Sequence, residues 1–290
     1  MVFNRVGSWF ITGLPANNRI PELLYLGTNR GLVMIVCWFS CGAASACATK
    51  LAIEKYGREN IRVVNNPVIN EHPDNKRFLE DCEKWLGIKI ESATNPCFKH
   101  CDITKVFDEY GVMSTPHFAP CTLELKQNAR AQWEQDNNYN KDTDAIVMGY
   151  TVEEKQRQER FNSAPKNKGY KLICPLIDAG WDKHRCFNEL EMAGIKLPEI
   201  YTKFEFPNAN CIGCVKSGSV WYWQLVRKRF PEIFKQRAEQ SRRLGCRLVD
   251  MGKDHEPRHI FLDELPEDAV GRKPKSCYVE CGIFCTLGQQ

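Results

Sequence analysis

The alternation of buried-strand and helix patterns over residues 32–151 constrains this chain most. LVMIVCWFS, residues 32–40, is a short apolar run rich in β-branched and aromatic residues, with Gly31 before it and Cys41-Gly42 after it. Such a run suits a parallel strand that helices cover on both faces. ASACATKLAIEKYG follows, with Ala46, Leu51 and Ile53 at helical spacing, Lys55 in the last turn and Gly57 as the stop. IRVVNNPVI reads as a second strand, and residues 74–87 as an amphipathic helix with Asp74 as N-cap. IKIESAT is a third strand. A helix over 122–136 precedes DAIVMGYT, a fourth strand with an abrupt Gly-Tyr end. This order predicts an α/β fold over residues 32–175: an open, mostly parallel sheet flanked by helices, joined by right-handed crossovers. Ligands of such sheets bind at the carboxyl ends of the strands.

From about residue 175 the character changes. KHRCFNELEMAG reads as a helix, FEFPNANCIGCVKSG as a turn-rich loop, and 218–244 as a long helix broken or begun at Pro231. Residues 176–290 are therefore expected to form a helical C-terminal region with a C-x-x-C loop and the cysteine-rich tail GRKPKSCYVECGIFCTLGQQ. Residues 1–31, rich in Asn, Gly and Pro and without periodicity, read as a loose extension, or as a leader upstream of a start at Met34.

The composition is that of a globular chain, with 43% hydrophobic and 26% charged residues over 290 positions, so disorder is excluded and a core is affordable. A net charge of +4 is too mild to argue for nucleic acid by itself. The 15 cysteines are the anomaly. The start, MVFNRVGSWFITGLPANNR, lacks the continuous apolar stretch of a secretory signal. The longest apolar run, GLVMIVCWF, falls far short of the ~20 residues of a membrane span. A cytoplasmic, reducing setting without membrane attachment is the expectation. Clustered cysteines there point to metal or catalysis rather than disulfides.

Three groups of residues carry chemistry. In Ser40-Cys41-Gly42-Ala43-Ala44-Ser45, small side chains let backbone N–H groups approach an anion at a helix N-terminus, and two serines add hydroxyls. The same string also suits a tight strand-to-helix turn. Arg157 and Arg160 in MGYTVEEKQRQERF are three apart, so on a helix they share a face suited to phosphate or sulfate oxygens. EEKQRQER equally describes a solvated charged face, and Lys126 carries the same two readings. Cys211-Ile-Gly-Cys214 can ligate a metal from a tight loop or work as a dithiol. Cys277, Cys281 and Cys285 crowd the tail. Cys37, Cys47, Cys82, Cys174, Cys186 and Cys246 lie in apolar surroundings and read as core. Cys97 and Cys101 flank Lys99-His100 in a loop with no further support for a metal. The six histidines show no triad-like arrangement.

Taken in order, these segments resemble the phosphoadenosine phosphosulfate (PAPS/APS) reductase family of the adenine nucleotide alpha-hydrolase, or PP-loop, superfamily. SCGAAS is similar to the S-G-G-x-D-S loop at Ser40, Gly42 and Ser45, with Cys41 for a Gly and Ala44 for the Asp. NNPVINEHPDNKRFLEDCEKWLGIKI resembles the stretch in which strand two ends in an acidic, Pro-containing loop. PCTLELKQNARAQW resembles R-x-C-(C/T)-x-x-x-K at Cys121 and Lys126, with Pro120 where a further Cys is common. MGYTVEEKQRQERF resembles the anion-contacting segment at Gly149, at Glu153 or Glu154, and at Arg157 and Arg160. The stretch from ICPLIDAGW to NANCIGCVKSG resembles the segment that ends in C-x-x-C. VECGIF resembles the E-C-G-(I/L)-H motif of the nucleophile, with Phe284 in place of His.

The resemblance implies an adenine nucleotide (PAPS, APS or ATP) held by Ser40, Cys41, Gly42, Ala43, Ser45, Lys126, Gly149, Arg157 and Arg160. It implies a [4Fe–4S] cluster, or Zn²⁺, on Cys121, Cys211 and Cys214. The fourth position is open or filled by Cys277 or Cys285. The Cys281 thiolate would attack the sulfate sulfur, with Arg272, Lys273 and Lys275 favouring its ionisation, and a thioredoxin-like thiol would release sulfite. An alternative is an ATP-dependent iron–sulfur sulfurtransferase that modifies DNA or tRNA, with WYWQLVRKRFPEIFKQRAEQSRR as its nucleic-acid surface. A third is a non-catalytic nucleotide-binding accessory protein, in keeping with Ala44.

Overall fold

A computed structural model describes residues 34–115, 118–252, 257–273 and Phe284. Its centre is a five-stranded, all-parallel sheet flanked by helices. The strands are β1 (Ile35–Trp38), β2 (Ile61–Asn65), β3 (Ile90–Ser92), β4 (Ala145–Val147) and β5 (Lys171–Ile173), in the order β3-β2-β1-β4-β5. β1 is fully buried because the alternation of its side chains serves two cores. Ile35 and Cys37 pack toward α1 (Ala43–Tyr56), α2 (Asp74–Leu86) and the later helices α7 (Pro175–Asp178) and α8 (Lys183–Met192). Val36 and Trp38 pack on the opposite face with Trp133 of α5 (Ala129–Asp136) and Phe161 of α6 (Lys155–Ser163).

The four expected strands and the helices between them are present. The second strand stops at Asn65, just before Pro67, rather than running on to Ile69. Two elements went unread. The edge strand β5 is three residues long, with Lys171 exposed, so it carries almost no pattern. The helix α3 (Ile103–Tyr110) begins on Asp102, whose carboxylate accepts the Thr104 N–H at 2.9 Å, and stops at Gly111 with φ +65°. The expected helix over 122–136 opens with α4 (Pro120–Thr122), passes through a π-helical stretch, Leu123–Asn128, and ends in α5.

A third core gathers Phe107 of α3 with Trp223 of α10 (Val220–Arg229) and Phe234 of α11 (Pro231–Arg243). These two helices are the long helix broken at Pro231. α9 (Glu199–Thr202) and the small antiparallel pair β6 (Val249–Asp250) and β7 (His259–Ile260) complete the regular elements. Among the described residues, no helix is long and apolar enough to cross a membrane.

Candidate functional site

The chain leaves β1 toward α1 on one face of the sheet, and leaves β4 toward α6 on the other. In an open α/β sheet this reversal opens a crevice beyond the carboxyl ends of the two strands. A cleft of about 770 Å³ lies there. Its floor is the turn into α1. Ser40, Gly42, Ala44 and Ser45 line the cleft, whereas Cys41 and Ala43 turn into the core and are nearly inaccessible.

The turn is built from within. The Ser45 hydroxyl accepts the Ser40 N–H at 3.1 Å and donates to the Gly42 carbonyl at 2.8 Å. Cys41 holds φ +54°, a left-handed conformation uncommon outside glycine. Its burial pushes its thiol well above the ordinary range. Asn65 secures the preceding residue by donating to the Phe39 carbonyl at 2.7 Å. No side chain caps α1, and its first turn holds no acidic residue. The N-terminal peptide groups are thus directed at the cleft, with the partial positive charge of the helix end behind them.

Gly149 ends β4 directly above this turn. A β-carbon there would stand 2.8 Å from the Ser45 Cα and N and 2.9 Å from the Ala44 carbonyl carbon. Only glycine allows the β4 loop to approach α1 so closely. Lys126, Arg157, Lys183 and Lys273 bring cations to the cleft wall, and Glu71, Glu153, Glu154 and Glu205 bring carboxylates. Arg157 is ion-paired with Glu154 and lies 4.7 Å from the centre of the Tyr150 ring, so its guanidinium is held in place. Arg160 is exposed one turn on, donates to the Gln156 carbonyl at 3.3 Å, and does not line the cleft. The pair therefore does not act as a double clamp on this cavity. Lys183 and Tyr201 come from the later helices, and no local pattern marked them. A β-carbon on Gly42 would lie 3.0 Å from the Tyr201 hydroxyl.

No protein-family model matches the chain, and no curated protein matches it. The site is therefore interpreted on its own geometry.

The cysteines form a second constellation. Cys211 and Cys214 are buried, and Cys121 is half-buried against the same core. Tyr222 fixes the loop: its hydroxyl accepts the Cys214 N–H at 2.7 Å and donates to the Cys211 carbonyl at 3.3 Å. Gly213, with φ +73°, makes the turn between them. Among the described residues, no three His, Cys, Asp or Glu side chains are arranged to hold a single metal ion. A cluster spreads its ligands more widely, and a separate observation fits one. Arg237 of α11 is 1% exposed, its charge is faced by Cys211 and Cys121, and its Nε has no hydrogen-bond partner. A buried, incompletely satisfied guanidinium suits an anionic sulfur-rich group.

Cys277, Cys281 and Cys285 lie outside the described residues, but their neighbours do not. Lys273 lines the cleft. Phe284 is buried at 5% exposure, its ring centre 5.0 Å from those of Phe161 and Tyr170 and 4.0 Å from the Arg130 guanidinium. The phenylalanine in the histidine position thus has a packing role. In the basic segment, Trp223 and Tyr222 are buried and Trp221 is half-buried, so two of its three leading aromatics are withheld from base stacking. Cys37, Cys47, Cys82, Cys174, Cys186 and Cys246 are all buried.

Proposed function

We propose that this protein is a PAPS/APS reductase-like enzyme with an adenine nucleotide alpha-hydrolase (PP-loop) type of fold. It would act on an adenine sulfonucleotide through a tail cysteine. The observation that carries this reading is the placement of the chain around the tail. Lys273 stands at the nucleotide-sized cleft and Phe284 is docked on α6, the helix that also presents Arg157. The uncapped α1 N-terminus, Lys126 and Arg157 would hold the phosphate and sulfate oxygens.

In the reaction, the Cys281 thiolate attacks the sulfonate sulfur. A sulfur–sulfur bond forms as the sulfur–oxygen bond to the nucleotide breaks, and the nucleotide leaves as its phosphate. A thioredoxin-like dithiol then attacks Cys281, sulfite departs, and the dithiol becomes a disulfide. Two electrons pass from the thiols to sulfur. Cys121, Cys211 and Cys214 would hold a [4Fe–4S] cluster, or Zn²⁺ in its place, which when bound supplies a charged metal centre beside the cleft. Cys277 or Cys285 is the candidate fourth ligand.

A second reading, an ATP-dependent sulfurtransferase acting on DNA or tRNA, is favoured by the three-cysteine set around a buried cation. One experiment separates the two. The protein is incubated with PAPS, APS or ATP and reduced thioredoxin, and sulfite and pyrophosphate are measured. Sulfite release that Cys281→Ser abolishes supports the reductase. Pyrophosphate from ATP without sulfite supports the transferase, and neither product from any nucleotide overturns both.

A further inference from the structure

The least compensated charge in the described core is Arg237. Its side chain is 1% exposed, yet no carboxylate forms an ion pair with it. One terminal nitrogen donates to the Gln240 side chain, and the guanidinium lies 5.3 Å from the centre of the Phe107 ring. Nε has no acceptor. Burying a guanidinium in this state is costly, and removal of the charge would ordinarily relieve the core. Nε faces the C-x-x-C turn: a β-carbon on Gly213 would lie 3.6 Å from it. The groups that face the charge are Cys211, Cys121, Tyr222 and Asp102. Tyr222 is engaged with the backbone of the cysteine loop, and the Asp102 carboxylate is engaged by the Thr104 N–H and Asn70. The sulfurs are the acceptors that remain.

We propose that Arg237 is the built-in counter-charge of the Cys121, Cys211 and Cys214 site, with its Nε–H reserved for a negatively charged sulfur when the site is loaded. This rests on the reading of that site as an iron–sulfur centre. A fixed cation there favours the more reduced, more negative state of the bound group, and so raises its potential. It also makes the empty site less comfortable than the filled one.

The test is Arg237→Met, with Arg237→Lys beside it, in full-length protein purified and reconstituted without oxygen. Iron and sulfide content, the potential from a spectroscopic redox titration, and the melting temperature of the metal-free protein are measured. The proposal expects metal-free Arg237→Met to melt no lower than the native chain. When loaded, its oxidised-to-reduced ratio at a fixed potential shifts toward oxidised by at least about tenfold, equal to about 59 mV for one electron. Arg237→Lys recovers most of that shift. If Arg237→Met does not fold, Arg237→Lys decides: a loaded site with the native potential supports a charge role, and one that falls by the full amount overturns it. Equal potentials in Arg237→Met and the native protein overturn the proposal while leaving the cluster in place. A native protein without iron and sulfide after reconstitution overturns the cluster itself, and the role of Arg237 with it.

Discussion

Gly149→Ala tests the cleft most directly. The added methyl would stand 2.8 Å from the Cα and N of Ser45 and 2.9 Å from the carbonyl carbon of Ala44. All three are backbone atoms at the start of α1, in a turn closed by the Ser45 hydroxyl, so no flexible side chain can yield. Overpacking of this kind costs about 1–3 kcal/mol. At roughly 2–4 °C per kcal/mol for a chain of this size class, the melting temperature should fall by about 2–12 °C. The strain is relieved when the N-terminus of α1 moves away from β4, and those peptide N–H groups are the ones assigned to the anion. A hydrogen bond to a charged group contributes about 1.5–3 kcal/mol. Displacing one should therefore weaken nucleotide binding about 10- to 100-fold.

The assay is calorimetry on both counts, thermal unfolding and titration with PAPS, APS, ATP and AMP. Gly111→Ala is the control. Gly111 also lies at positive φ, +65°, but a methyl there meets nothing within 4 Å, so it should lower stability by backbone strain alone and leave binding unchanged. A Gly149→Ala protein that melts lower yet binds every nucleotide as the native chain does would refute the anion site at α1.

Phe284→Ala removes a ring packed on Phe161, Tyr170 and Arg130, worth about 3–5 kcal/mol of docking. Trypsin should then cut the chain beyond Lys273 at far lower doses, and unchanged cleavage would show that this contact does not hold the tail. Iodoacetamide at pH 8 should modify exposed Cys97 while sparing Cys37, Cys82 and Cys174, whose thiols burial pushes up to about 12; peptide mass spectrometry reads the order directly. The Arg77 guanidinium holds the Asp74 carboxyl below its ordinary value, with the Glu199 N–H assisting. The stability from this depressed pKa is present above the unfolded value of about 3.9 and is lost as pH falls through the lower folded value. Asp74→Asn should thus lower the melting temperature at pH 7 and converge with the native protein in strong acid.

Much of the sheet was legible because its signals are local. β1 is apolar on both faces because two cores take alternate residues, and a doubly buried strand has that composition. The cleft was legible for the same reason: Ser40, Gly42, Ser45 and Gly149 sit where strands end, and strand ends are visible in sequence. α3 carried its own marks, Asp102 before it and Gly111 after it, and was still missed because it falls between motifs that drew more weight. Lys183, Tyr201 and Arg237 were not legible by any local rule. Each reaches its site through tertiary packing, from helices far along the chain. Arg237 stands in the string PEIFKQRAEQSRR, where it is indistinguishable from its solvated neighbours until α11 is packed against α3.

The cleft and the cysteine set are not separate compartments, since two segments belong to both. The helical stretch that opens at Pro120 carries Cys121 in its first turn and Lys126 on the cleft wall five residues later, with π-helical backbone between them. π-turns distort a helix and tend to occur where function requires a side chain to be re-aimed. The second segment lines the cleft from Phe206 to Asn210 and turns into the core at Cys211. It is tied to the loop after β2 and to α2 by the Ile212 N–H on the Asn70 carbonyl at 2.9 Å and by Asn75 on the Ala209 carbonyl at 3.3 Å. An anion drawn toward Lys126 pulls on the same turn that aims Cys121, and a ligand seated against Asn210 presses on the residue before Cys211. Occupancy of the cleft and the state of the sulfurs therefore share their mechanical supports, so a change at either site should register at the other.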